Sequence, residues 1–452
     1  MATILAFQSV NAYAKKRMVF VLFILIQAVS AFGFTKEKTL EKPNVILIMA
    51  DDMGFECLST YGSTEYRTPV LDSLAAHGIR FENCVSQPLC SPSRLKLMTG
   101  MYNYRNYEHF GYLNPNQYTF GNLMQEAGYA TCIAGKWQLN GLSNKDIVPT
   151  WHDNRMPNHF GFGEYCLWQL TKSGAEGERY AAPLFEKNGE LIQGSEDQYG
   201  PDFFSDFVID FIERKKDERF FIYYPMVLVH DPFVPTPDSP DWKNAGDRYK
   251  KDTAYFKDMV AYTDKIVGKI TRKLKDLGLD KNTLVIFTGD NGTHPTISTS
   301  TSQRIIKGGK GNTTDAGTHV PLITYWPDQI RQGRSFAGLI EFSDFFPTFA
   351  EIVNRKIKTD SKSFYPLLTG GKYQPRSTAF VHYDPRWSPN VNQYRNQFVR
   401  SLDYKLYQDG KFYGLKEDIL ESRLLDREKL SRQESSVLLD LQKEMDLHPK
   451  WR

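Results

Sequence analysis

Four short apolar runs divide the first two-thirds of the chain, and each ends on polar residues. Residues 44–50 lead into Asp51 and Asp52, and 129–134 into Gly135 and Lys136. Residues 220–224, continuing through 226–229, lead into His230 and Asp231, and 283–287 lead toward Asp290 and Asn291. Runs this short and this apolar predict strands buried on both faces, as in a parallel sheet. Between them the period changes to that of helices. Leu71, Leu74 and Ala75 share one face of a segment over 69–78. Met259, Val260, Tyr262, Ile266, Val267, Ile270 and Leu274 mark a longer helix from Phe256, stopped at Gly278. This alternation predicts an α/β fold with a large, mostly parallel central sheet flanked by helices. Ligands bind such sheets outside the carboxyl ends of the strands. The acids, the lysine and the histidine at those ends are therefore candidates for one shared site, although loops are also polar for their own reasons.

Beyond about residue 375 the character changes. Residues 379–383, 398–401 and 404–407 predict short antiparallel strands, the last followed by an Asp409-Gly410 turn, and a helix is expected over about 432–446. The expected organisation is a catalytic domain over 43–370 and a smaller C-terminal α+β subdomain with an antiparallel sheet over 371–452.

Composition narrows the class. The chain has 452 residues, 41% hydrophobic and 24% charged, as in an ordinary globular protein. Its 56 basic and 53 acidic residues are too balanced for a nucleic-acid partner. Lys15, Lys16 and Arg17 precede an apolar stretch over 18–34 with small residues at 29–31. This predicts a signal peptide over 1–31 and an exported protein, periplasmic or secreted, with no stable membrane association. A retained anchor is the alternative, but the run is barely long enough to span a bilayer. An exported protein is expected to pair its cysteines. Five are present, so at least one is left over.

The segment Pro88-Leu89-Cys90-Ser91-Pro92-Ser93-Arg94 is the most informative. Ser91 suits an N-cap, Pro92 the first helical position and Gly100 a stop. Cys90 then sits at a helix N-terminus, where free amides favour an anion. Arg94 lies a turn further on, able to hold an oxyanion through two nitrogens. Asp51, Asp52, Asp290 and Asn291 offer three carboxylates and an amide oxygen, hard ligands that suit Ca²⁺ or Mg²⁺. Alone, Asp51-Asp52 reads equally as a strand-ending turn.

Cys90-x-Pro92-Ser93-Arg94, followed by Met98-Thr99-Gly100, resembles the signature of the formylglycine-dependent sulfatases of the alkaline phosphatase superfamily. The resemblance covers roughly residues 43 to 430. It takes in Thr68–Asp72, residues 78–81, Gly135-Lys136-Trp137, His230, Asp290-Asn291-Gly292 and Lys310 in family order. It implies an alkaline-phosphatase-like fold and a sulfuric ester hydrolase in which Cys90 is oxidised to formylglycine (3-oxoalanine) by a separate formylglycine-generating or anaerobic maturation enzyme. It also implies one Ca²⁺, held by Asp51, Asp52, Asp290, Asn291 and residue 90. The hydrated aldehyde is then the nucleophile and Asp290 takes its proton. Arg94, Lys136 and Lys310 neutralise sulfate oxygens, and His230 protonates the leaving alcohol.

Three positions depart from the family pattern. Gln138 stands where the family has a histidine, and an amide cannot act as a base. Asp315-Ala316-Gly317-Thr318-His319-Val320-Pro321 replaces a Glu-Gly-Gly-x-Arg-Val-Pro, which makes His319 a candidate for substrate. His294 could supply the missing imidazole or contact substrate. In the C-terminal part, His382 and Arg386, among aromatics, are further candidates for binding a sulfated saccharide. The expected role is polysaccharide degradation. A phosphonate monoester or phosphodiester hydrolase, or a catalytically inactive sulfatase-like binding protein, remains an alternative.

Overall fold

The computed structural model describes residues 42–450, so the predicted signal segment lies outside the described residues. The strands are β1 (Asn44–Ala50), β2 (Ile79–Val85), β3 (Ala130–Lys136), β4 (Glu164–Trp168), β5 (Leu184–Lys187), β6 (Glu190–Gln193), β7 (Phe220–Pro225) and β8 (Thr283–Gly289). They continue as β9 (Ser298–Ser300), β10 (Ile305–Lys307), β11 (His319–Tyr325), β12 (Arg334–Glu341), β13 (Ala379–Tyr383), β14 (Asn396–Arg400), β15 (Tyr404–Tyr407) and β16 (Phe412–Gly414). The longer helices are α1 (Pro69–His77), α2 (Cys90–Thr99), α3 (Phe120–Glu126), α4 (Gly200–Arg214), α5 (Phe256–Asp276), α6 (Phe345–Ile352) and α7 (Arg432–Asp446).

Ten strands form the central sheet in the order β12-β2-β11-β8-β1-β7-β3-β4-β5-β6. The middle, β8-β1-β7-β3-β4, is parallel, and β11 is antiparallel to both its neighbours. β1 shows why the apolar runs are continuous. Ile46, Ile48 and Ala50 enter the core shared with α1, α4 and α5, whereas Val45, Leu47 and Met49 enter the core shared with α2, α3 and α6. Each side chain so buried contributes roughly 1.5–3 kcal/mol, so a period-2 polar pattern would be costly here.

The predicted run over 220–229 is shorter than expected. β7 ends at Pro225, which has no N–H for the ladder. Residues 226–229 instead bond to the end of β1: Met226 N–H to the Met49 carbonyl, and Val229 N–H to that of Asp51. The expected helices over 69–78 and from Phe256 are present as α1 and α5, with Gly278 just past the latter at φ 69°. The separate C-terminal sheet is antiparallel in the order β13-β14-β15-β16 and is covered by α7 through Leu441 and Met445. All five cysteines are free and buried, so the expected pairing is not found. No helix among the described residues is long and apolar enough to cross a membrane.

Candidate active site

The carboxyl ends of β1, β3 and β8 deliver the first side chains. Asp51 and Asp52 follow β1 and are buried, with Asp52 at φ 62°. Lys136 closes β3. It is preceded by Gly135 at φ 105°, where an added Cβ would lie 2.0 Å from the Pro225 carbonyl. Only glycine lets β3 approach β7 this closely. Lys136 Nζ then donates to both Asp51 oxygens, at 3.0 and 2.8 Å. Asp290 follows β8 and accepts the Asp52 N–H at 2.9 Å. Asn291 Nδ2 donates to Asp52 Oδ1 at 2.9 Å.

The other side of the cluster comes from loops. Gly308, whose added Cβ would meet the His294 and Thr293 carbonyls at 2.3 and 2.5 Å, lets the chain pass close under residues 293–294. This brings Lys310 in, with Nζ 2.5 Å from Asp52 Oδ2 and 3.0 Å from His230 Nε2. His230 Nδ1 lies 2.6 Å from the Asp231 carbonyl, which orients the ring. Asp231, named only among the acids at the strand ends and given no role of its own, also faces His230, Lys310 and His294. Its place between His230 and Pro232 was the available signal.

Cys90 is the first residue of α2, 2% exposed. Its Sγ and carboxylate oxygens of Asp51 and Asp290 all lie within 4.8 Å of one another. The helix starts two residues earlier than predicted. Leu89 is the N-cap, Pro92 falls third, and the Ser91 hydroxyl accepts the Gly111 N–H rather than capping. Gly100 ends the helix at φ 66°, as expected.

The role of Arg94 also differs. Its two terminal nitrogens donate to the Trp137 and Lys136 carbonyls, each at 2.5 Å, and only the buried Nε lacks a partner. The guanidinium braces the turn after β3 through the two nitrogens expected to meet an oxyanion. In that turn, Gln138 at φ 50° brings Oε1 to 3.8 Å from Cys90 Sγ. The amide occupies the space beside the thiol.

The electrostatics are unusual. Burial, with Asp51 and Asp52 alongside, pushes the Asp290 carboxyl well above its ordinary range. Burial alone would raise Asp51 too, but Lys136, His230 and Lys310 hold it low. Burial raises the Cys90 thiol against the pull of Lys136. Asn291 Oδ1 is buried without a hydrogen-bond donor. Three buried carboxyl groups, one with its proton affinity raised by burial and by the other two, and an amide oxygen without a donor among the described residues are what a hard divalent cation would complete. The donor set therefore fits Ca²⁺.

The secondary candidates separate. His294 contacts Thr296, Asp231 and the Phe233 ring, on the His230 side of the site rather than beside Gln138. His319 bridges separate segments of the chain. Its ring nitrogens face Asp315 and the Glu82 carbonyl, at 3.1 and 2.8 Å, and its ring stacks on Phe55. Asp315 lies in the local motif, whereas Glu82 and Phe55 come from distant segments that the motif does not reveal. His382 bonds Gln397 within the small sheet, which gives it a packing role there. Arg386 is closer to the chemistry. It pairs with Asp384 beside Tyr383, and Tyr383 packs in one cluster with Cys90. The Tyr383 hydroxyl is buried without a partner.

Comparison with known proteins agrees with this geometry. The family model described as "Sulfatase" matches residues 43–354. The chain is 28% identical over 415 residues to the N-acetylgalactosamine-6-sulfatase of Canis lupus familiaris, covering 83% of this chain and 75% of that one. It is 28% identical over 411 residues to the N-acetylgalactosamine-6-O-sulfatase of Bacteroides thetaiotaomicron, covering 74% and 78%. Among solved structures, one determined with its substrate D-glucosamine-2-N,6-O-disulfate superposes with a TM-score of 0.71 at 22% identity, over 90% of this chain and 98% of that one. The phosphonate monoester hydrolase of Agrobacterium radiobacter superposes with a TM-score of 0.65 at 19% identity, over 89% and 94%. The match begins just before β1, ends just after α6 and takes in Asp51, Cys90, Lys136, His230, Asp290 and Lys310, and on that basis the chain belongs to the sulfatase family of the alkaline phosphatase superfamily.

Proposed function

We propose that the protein is an exported hydrolase that releases inorganic sulfate from a sulfated carbohydrate, using the oxidised side chain of residue 90 as nucleophile beside a bound Ca²⁺. The observation that carries the reading is the convergence of Cys90 Sγ with Asp51 and Asp290 at the N-terminus of α2. In that reading Sγ stands where an oxygen of the hydrated formylglycine would be. Maturation by a separate enzyme is part of the same proposal, as is a division into a catalytic domain over 43–370 and a subdomain over 371–452. The saccharide class draws support from the relatives named for N-acetylgalactosamine sulfates and from the neighbour solved with a disulfated glucosamine.

Asp51, Asp52, Asp290 and the Asn291 oxygen would hold the cation. When bound, it would supply Lewis-acid charge at the sulfate oxygens and lower the raised proton affinity of Asp290. Asp290, within reach of residue 90, then accepts the nucleophile's proton. Lys136 and Lys310 keep two ammonium groups beside the acids, where negative charge builds on sulfate. His230 has its Nδ1 side fixed on Asp231, so Nε2 is the atom that faces the site and meets the leaving alcohol. Gln138 can orient residue 90 by hydrogen bonding but cannot take its proton.

The test is a desulfation screen on defined sulfated saccharides, with conversion of Cys90 verified by peptide mass. Release of sulfate only from protein bearing the aldehyde is expected, and equal turnover by unconverted protein would sink the mechanism. Parallel assays on aryl sulfate, aryl phosphodiester and phosphonate monoester separate the alternative chemistry. If the phosphorus esters were much the better substrates, the sulfatase assignment of the site would be wrong. A binding protein without activity would release sulfate from none of them.

A further inference from the structure

A second anion-binding feature lies beside the site and plays no part in the chemistry above. An open cleft of about 420 Å³ is lined by Arg179, Arg248, Lys251, Trp168, Tyr249 and a single acid, Glu178. None of its three cations forms an ion pair among the described residues. Nearby surface lysines do: Lys250 pairs with Asp241, Lys265 with Asp238 and Lys269 with Asp206. The Arg179 guanidinium stands 4.0 Å over the Trp168 indole, which fixes its position, and its Nη1 is buried with no hydrogen-bond partner. Arg248 uses Nε on the Trp242 carbonyl. Buried donors left unpaired are costly, so a guanidinium held in this way is built for an acceptor from outside.

The cleft is joined to the reaction site by short links. Trp168 ends β4 opposite Lys136 of β3. One residue on, the Gln138 N–H donates to the Gln169 carbonyl at 3.0 Å, and both glutamines have positive φ, 50° and 56°. Tyr180, on the cleft wall, donates its hydroxyl to the backbone carbonyl of His230 at 2.5 Å, and Pro232 also lines the cleft. The cleft wall is thus continuous with the backbone that carries His230. Tyr249, 40% exposed, offers a face for a sugar ring there, and Glu178 an acceptor for its hydroxyls.

Resting on the sulfatase reading, we propose that this cleft is a second anion subsite. It takes a sulfate or carboxylate group carried by the saccharide beyond the ester being cleaved, so the preferred substrates carry at least two anionic groups. Arg179 is the principal ligand and Lys251 the flexible one.

The test compares the unaltered protein with Arg179→Gln and Lys251→Gln on four substrates. These are 4-methylumbelliferyl sulfate, a monosulfated neutral disaccharide, a monosulfated disaccharide with a uronic acid, and a disulfated disaccharide. The unaltered protein is expected to prefer the two dianionic disaccharides. Each substitution is expected to raise KM for them by about tenfold, with kcat changed less than about twofold, because a charge-assisted hydrogen bond to a bound group is lost. Turnover of the two singly charged substrates should not move. A shift confined to the uronic acid substrate identifies a carboxylate ligand, and one confined to the disulfated substrate identifies sulfate. Preference of the unaltered protein for the neutral disaccharide, or an equal loss on all four substrates in the exposed Lys251→Gln variant, would overturn the subsite. Failure of the unaltered protein to hydrolyse any sulfate ester would instead remove the sulfatase reading itself.

Discussion

Helix α2 connects two buried clusters of charge that obey different rules. Lys96, within the helix, donates to Glu341 at 2.9 Å and to the Phe380 carbonyl at 2.8 Å. Arg376 pairs with both Glu341 and Asp344, and hydroxyls of Tyr102, Ser343 and Ser361 complete the acceptors. Two cations meet two acids, and only Arg376 Nε is left without a partner. At the start of the same helix, around Cys90, Asp290 receives one backbone N–H and no cation, and Asn291 Oδ1 receives nothing. Burial of charge is tolerated where partners are complete. Incomplete partnering at one place, beside three carboxylates, distinguishes a group of residues that awaits a ligand from one that holds the fold.

That contrast can be broken at either end. Cys90→Ala should lower sulfate release by on the order of 10⁴-fold or more and leave the denaturant midpoint nearly unchanged. Retained activity would remove residue 90 from the chemistry. Lys96→Met should do the opposite. Leaving Glu341 without its lysine should cost roughly 3–5 kcal/mol of stability, read by urea unfolding, with kcat of the folded fraction little affected. Ca²⁺ should sharpen the comparison. A hundredfold excess over Kd would stabilise the protein by about 2.7 kcal/mol, seen as a rise in Tm that chelation reverses. Asp290→Asn should weaken that rise, and Lys96→Met should preserve it. Gln138→Ala should lower kcat by about tenfold, the worth of one hydrogen bond, without shifting the pH profile. A shifted profile would mean that Gln138 influences a proton transfer.

The smallest expected effect concerns acid stability. Burial alone would raise Glu341, but Arg376 and Lys96 hold it down to about 2, below its ordinary 4.5. A depressed carboxyl contributes stability that is present above the unfolded value and lost as pH falls from about 4.5 toward 2. Asp344, raised by burial with Glu341 alongside, works in the opposite direction and blunts the loss. Lys96→Met should therefore flatten the acid limb of the stability curve, measured by Tm between pH 5 and 3. An unchanged slope would mean that Lys96 does not set the Glu341 proton affinity.

The sequence made some parts of this legible and hid others for physical reasons. β1 and β8 could be read because burial on both faces leaves an unbroken apolar run. β2 and β12 could not, since Arg80, Glu82 and Asn83 in one and Arg334 and Ser335 in the other interrupt any run. α4 went unpredicted although Phe204, Phe207, Val208, Phe211 and Ile212 recur at helical spacing behind Pro201, a signal that was present. At the site, Cys90, Lys136, His230, Asp290 and Lys310 were legible because their neighbours carry a family pattern. The contacts that Arg94 and His319 make were not legible. The Arg94 partners, the carbonyls of Lys136 and Trp137, lie 42 and 43 residues away, and His319 faces the Glu82 carbonyl 237 residues away besides Asp315 four residues before it. Spacing along one helix or strand contains nothing about the distant ones.

Cys90 is 2% exposed and shares a packed cluster with Val381, Tyr383 and Phe398 of the small sheet. Once β13 and β14 are in place, that packing covers the sulfur. Those strands leave the ribosome about 290 residues after Cys90, roughly 15–60 s later at ordinary synthesis rates. Under the proposed maturation, oxidation of the thiol would be a race against completion of the chain. The yield of working enzyme from a given host is set by how much maturation activity meets the nascent polypeptide, and purified protein folded with an unmodified thiol should resist later conversion.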